Sequence, residues 1–141
     1  MGIEAVKALR EKLRNDTALN DFWQSHYNKA AIHRIGYRQS PNANDYPIVS
    51  YVVTRAVVGD PSGERVTVSV VIGVNAAGIT DDVYDGVQQA DEAASLVVSA
   101  ISIGRVDART MWLGTAMIVS DTGMRHPFYE SEVIVPLLWR G

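Results

Sequence analysis

Pro47-Ile48-Val49-Ser50-Tyr51-Val52-Val53-Thr54-Arg55-Ala56-Val57-Val58-Gly59-Asp60-Pro61-Ser62-Gly63, with the run that follows it to Val74, decides the fold. Ile48 to Val58 is dense in β-branched residues and bounded by Pro47 and Gly59, which reads as a strand. Gly59 to Gly63 reads as a turn. After it Val66, Val68, Val70, Ile72 and Val74 alternate with Arg65, Thr67, Ser69, Val71 and Gly73, the period of a strand with one buried face. The two strands make an antiparallel hairpin whose even-numbered residues in the second strand face the core. The loop joins strand to strand and lacks a Gly-Lys-Ser/Thr spacing, so it is a hairpin loop or extended arm rather than a phosphate cradle.

Outward from the hairpin, Thr80-Asp81-Asp82 offers an N-cap with acids in the first turn, and Gly104 a stop. Between them Val83, Val87, Ala90, Ala94, Val97 and Ile101 fall within about 40° of one line at 100° per residue, a narrow core stripe on a helix from Thr80 to Ile103. Asp81, Asp85, Gln88 and Glu92 lie opposite the stripe with no Lys or Arg on the helix, leaving an unpaired acidic face. Leu96 and Ile103 point about 140–160° away from the stripe, flanked by Ala93 and Ala100. This second apolar strip needs cover, either from the N-terminal helix or from a neighbouring subunit.

Thr110 to Ser120 reads as a third strand, Asp121-Thr122-Gly123 as a turn, and Tyr129 to Trp139 as a fourth strand with Val133, Val135, Leu137 and Trp139 on one face. Pro136 cannot donate to a ladder, which places that strand at an edge or its amide toward solvent. Upstream, Ile3, Val6, Leu9 and Leu13 give an amphipathic helix. Asn15 and Asp16 stop it and cap a second piece bearing Leu19, Phe22 and Trp23. The expected architecture is one α+β domain spanning 1–141: a helical segment 1–35, a turn-rich loop 36–46, and a sheet plus long helix over 47–141. Its order is α-β-β-α-β-β, with an antiparallel or mixed sheet of about four strands and helices on one face.

Composition narrows the function. With 141 residues, 47% hydrophobic and 21% charged, the chain is of single-domain size. Surface scaling leaves about 7,000 Å² exposed of about 22,000 Å² unfolded, enough burial without disulfide or metal. Zero cysteines remove thiol and zinc-ribbon chemistry. A charged N-terminus and the lack of any 18-residue apolar run predict a soluble, non-secreted protein with no membrane partner. Residues 1–40 hold seven Lys/Arg against four acids, a charge of +3; with −3 in total, the rest carries −6. An acidic body disfavours sequence-specific nucleic-acid binding.

No catalytic, cofactor-binding or metal-binding residue is assigned. His26 and His33 share a spacing of seven but lack a third ligand. Asp81, Asp82 and Asp85 lack the glycine and terminal glutamate of a calcium loop. His126, Asp121 and scattered serines form no nucleophile elbow. The competing class is a small-ligand-binding or enzymatic α+β domain, with Trp112, Trp139, Tyr129 and His126 lining a pocket between sheet and helix.

Three stretches resemble the tail terminator, or tail completion, proteins of long-tailed phages. Leu9 to Leu19 is similar to that family's opening helix, which breaks into a short second piece. Asn44-Asp45-Tyr46-Pro47-Ile48-Val49-Ser50-Tyr51 resembles its proline-led entry into the first strand. The helix from Thr80 to Ile103 followed by a strand bearing Trp112 resembles its second half. The resemblance implies a virion protein, made in the bacterial host cytoplasm, that assembles as a ring, usually of six. Such a ring caps the tail tube and offers a platform to the head connector. On that implication Leu96, Ile103, Ala93 and Ala100 are candidate subunit-interface residues, and Asp81, Asp85 and Glu92 candidate channel-facing acids. Another neck or minor tail component of the same fold is a further possibility.

Overall fold

The computed structural model describes residues 2–121 and 123–141; Met1 and Thr122, the latter within the expected turn, lie outside them. At its centre the predicted hairpin forms from β2 (Ile48–Val57) and β3 (Glu64–Asn75), paired antiparallel from Ile48↔Gly73 to Val57↔Arg65 with a bulge at Val53/Arg55. Val66, Val68, Val70, Ile72 and Val74 are all buried on one face, as their alternation requires. At roughly 1.5–3 kcal/mol for each buried aliphatic side chain, this row is a main source of stability.

The rest assembles around it. Before the hairpin come α1 (Gly2–Arg14), α2 (Thr17–Tyr27) and β1 (Ile32–Ile35). After it come β4 (Ile79–Thr80), β5 (Val83–Tyr84), α3 (Asp85–Ile101), β6 (Thr110–Trp112), β7 (Met117–Val119) and β8 (Phe128–Trp139). The main sheet has six strands in the order β1-β2-β3-β8-β6, with β7 also pairing β8 beyond β6. Pairing is antiparallel except for the parallel pair β1–β2, and β4–β5 form a separate small ribbon. The helices cover one face of the sheet. Ala5, Val6, Leu9 and Leu13 of α1, Leu19 and Trp23 of α2, and Ala90, Ala94, Val97 and Ile101 of α3 close the core against Val49, Tyr51, Val133, Val135 and Leu137. The exposed surface, 7540 Å², agrees with the size expectation.

This is the expected α+β domain with more strands than the expected four, and several local expectations give way. The helical segment ends at Tyr27, where Asn28 adopts φ 56° and its N–H bonds to the Gln24 carbonyl. Residues 32–35 are therefore strand, and His33 lies on β1, not on a helix with His26. The long helix starts at Asp85, because Asp81 and Asp82 both take positive φ in the tight turn joining β4 to β5. The third strand is broken into β6 and β7 around Gly114, φ 106°. The fourth strand, β8, is central instead of at an edge. The Pro136 carbonyl accepts from Leu113 N at 3.0 Å, so its missing N–H faces the gap between β6 and β7, where no ladder partner waits.

Asp16 caps α2 by accepting from Leu19 N at 3.0 Å. The end of α3 carries no cation of its own, and α1 supplies one: Lys12 Nζ donates to the carbonyls of Ile103 and Arg105, each at 3.1 Å. Gly86 lets α3 lie flush on β8, since a Cβ there would overlap the Tyr129 ring.

Candidate interaction surfaces

The odd-numbered face of β3 has no helix over it. Loop 36–46 crosses one end of that face, turned by Gly36 (φ 100°), whose N–H bonds to the Tyr51 carbonyl at 2.7 Å. Tyr46 at the loop's end is buried against Gly73, where a Cβ would come within 3.0 Å of its ring, and its hydroxyl donates to the Ser40 carbonyl at 2.6 Å. Tyr37 Oη lies 2.7 and 2.8 Å from the two carboxylate oxygens of Glu130, which also pairs with Arg125 at 3.2 Å. Gln39, with its amide oxygen toward Arg125, extends this clamp. Burial, then the hydrogen bond to Glu130, pushes the Tyr37 phenol up to about 12, so it stays a donor across the physiological range.

The clamp separates two hollows. One, about 520 Å³, lies between the loop and the β1–β2 margin, with Arg34 and Arg38 beside Asn42 and Ser50. The other, about 430 Å³, is a groove floored by Val52, Ser69 and Val71 and walled by Tyr37 and Val119. The buried Ser69 hydroxyl donates to Glu132 at 2.5 Å, and no histidine lines the groove. Glu132 also lines the groove, so its serine is held by a carboxylate rather than by an imidazole.

The histidines sit in three separate settings. His33 Nδ1 is 2.7 Å from the Tyr51 hydroxyl, and burial, reinforced by Arg14, lowers its pKa to about 4. His26 packs on Phe22, and His126 bonds Tyr129 and meets the edge of Tyr84. Asp121 accepts from the backbone N–H groups of Gly123 (2.7 Å) and Glu130 (2.6 Å), which makes it a turn-holding carboxylate. Trp112 and Trp139 lie at one end of β8 and Tyr129 at the other, ten residues or roughly 33 Å of strand apart. The expected aromatic pocket is therefore not assembled.

Both margins of the sheet are open. Because β1 pairs only with Ile48–Tyr51, residues 52–57 of β2 have no strand partner on that side among the described residues. Val53, Val57 and Val58 are exposed there, Val58 by 61%. On the opposite margin β7 exposes Met117 (60%), Ile118 and Val119. A hollow of about 340 Å³ runs between α3 and the segment that follows β7, lined by Val83, Val87 and Ala90 together with Asp91, Ser120 and Asp121. Sequence periodicity does not reveal these margins; the unequal lengths of β1 and β2 make the first, the pairing of β7 with β8 alone makes the second, and only pairing shows either.

The residues singled out by sequence divide. Ala93 and Ala100 are buried in the chain's own core, which removes them as interface surface. The apolar arc of α3 is wider than the expected stripe because sheet and N-terminal helices both cover it. Leu96 is half-buried against that core, and Ile103 is 72% exposed beyond the helix end. Of the three acids, Asp81 is off the helix in the β4–β5 turn, Asp85 accepts from the Thr80 hydroxyl at 2.8 Å, and Glu92 is exposed and bonded by Gln88 at 2.9 Å. Asp85 and Glu92 share a helix face without Asp81.

No protein-family model and no curated protein matches the chain. Among solved structures, a chain of the "Virion of native gene transfer agent (GTA) particle" superposes with a TM-score of 0.57 at 13% identity. The match covers 99% of this chain and 98% of that one, so the two share a fold from end to end.

Proposed function

We propose that the chain is a structural protein of a phage-like particle, and that it caps the tail tube as an oligomeric ring. In that place it ends tube polymerisation and gives the head connector a surface to join. The observation that carries this reading is the match in fold, over 99% of this chain, to a chain of the gene transfer agent virion. One feature agrees with it: open sheet margins suited to neighbours. The role is structural rather than catalytic, needs no cofactor, and belongs to the virion after synthesis in the bacterial host cytoplasm.

Deleting the gene from its phage or prophage tests this. Electron microscopy is expected to find tubes of uncontrolled length beside unattached heads, with added protein restoring joined particles. Normal particles in the deletion strain would overturn the reading. Another neck or minor tail position is the second reading, since the fold alone fixes no location; antibody labelling away from the tube end would favour it. On the ring reading, Asp85 and Glu92 line the opening and repel the DNA that passes. Particles carrying Glu92→Lys are then expected to release DNA more slowly at low salt, and unchanged release would remove Glu92 from the channel.

A further inference from the structure

We infer that the two open margins are the two halves of one head-to-tail contact: the β2 overhang of one copy docks on the β7 edge of the next and on the hollow beside α3 that follows that edge. The inference deepens the ring proposed above and rests on it for its biological setting, but its physical basis is independent. Each margin offers unpaired backbone, a template for another strand. Each also carries exposed apolar side chains, Val57 and Val58 on one and Met117 and Ile118 on the other, that a neighbour would remove from water.

Charge selects between the possible pairings. The overhang carries Arg55, which makes no ion pair among the described residues. The other margin carries Asp91 and Asp121, with no Lys or Arg anywhere on α3. Two overhangs brought together would oppose arginine to arginine across a bulged strand, and two β7 edges would oppose aspartate to aspartate. Only the unlike pair matches in sign. The margins lie on opposite sides of the sheet, so one copy engages two neighbours at once, the condition for a heterologous ring.

The chain has no cysteine, so an introduced thiol is unique. Val57→Cys and Ile118→Cys, both at exposed positions, are made singly and checked for unchanged folding by circular dichroism. Each is treated with a short bismaleimide, alone and mixed in equal amounts, without tail tubes. Cross-linked dimer is expected at least tenfold more in the mixture than in either variant alone, falling as salt rises. Equal yields in a single variant would mean a like-with-like contact, and no dimer in the mixture would mean the margins do not meet; either overturns the inference. Tube capping is scored separately. Cross-linking without capping leaves the contact standing and removes the proposed function, and capping without cross-linking does the reverse.

Discussion

The two faces of β3 are made from alternate residues of one twelve-residue strand, yet they are built to different rules. The even face, Val66 to Val74, is uniform, aliphatic and sealed by helices. The odd face mixes Arg65, Thr67, Ser69, Val71 and Gly73, and is closed only at one end by a loop held through polar contacts. Stability is concentrated on the first face and adaptability on the second. Burial without competing chemistry tolerates little change, whereas a half-covered polar face can be altered without unfolding the chain.

The sharpest break of this contrast is a matched pair of truncations. Ile72→Ala, on the sealed face, is expected to cost about 2–5 kcal/mol by urea unfolding, and its neighbour Val71→Ala under about 1 kcal/mol. Equal losses would mean the open face is as firmly packed as the closed one. Next, Gly86→Ala pushes a methyl into the Tyr129 ring and is expected to cost about 1–3 kcal/mol. A neutral result would show that α3 can lift from β8 freely.

His33 probes the margin between the faces. Its folded pKa, about 4, lies below the ordinary 6.5, so below that value the unfolded chain binds the extra proton. The stability it contributes is present above pH 6.5 and is lost as pH falls toward 4. His33→Gln is expected to flatten the stability–pH curve in that window, and an unchanged slope would assign the acid sensitivity elsewhere. The most local effect is expected from Tyr37→Phe: about 1 kcal/mol globally, with faster amide exchange confined to residues 36–46. Faster exchange spread through β3 would erase the distinction between the faces.

The same contrast explains what the sequence discloses. The period-two pattern of β3 and the stripe of α1 are local and strong, and both elements fold accordingly. β1 escapes because four residues carry no pattern of their own; Ile32 to Ile35 become strand only by pairing with Ile48 to Tyr51. Asp81 and Asp82 have the composition of a helix start, but a tight turn accepts the same residue types at positive φ. Ala93 and Ala100 look peripheral until two helices widen the buried arc of α3. The Tyr37–Glu130 clamp joins residues 93 apart, and no local signal marks either partner.

Placing β8 in the middle of the sheet has a consequence for folding. It pairs with β3 on one side and holds both β6 and β7 on the other. Until residues 128–139 pair, β3 lacks one of its two neighbours and β7 has no strand to lie on. These pairings join residues as far apart as Glu64 and Trp139, so the slow step is the closing of long loops, and the β7 margin is the part whose order waits on it.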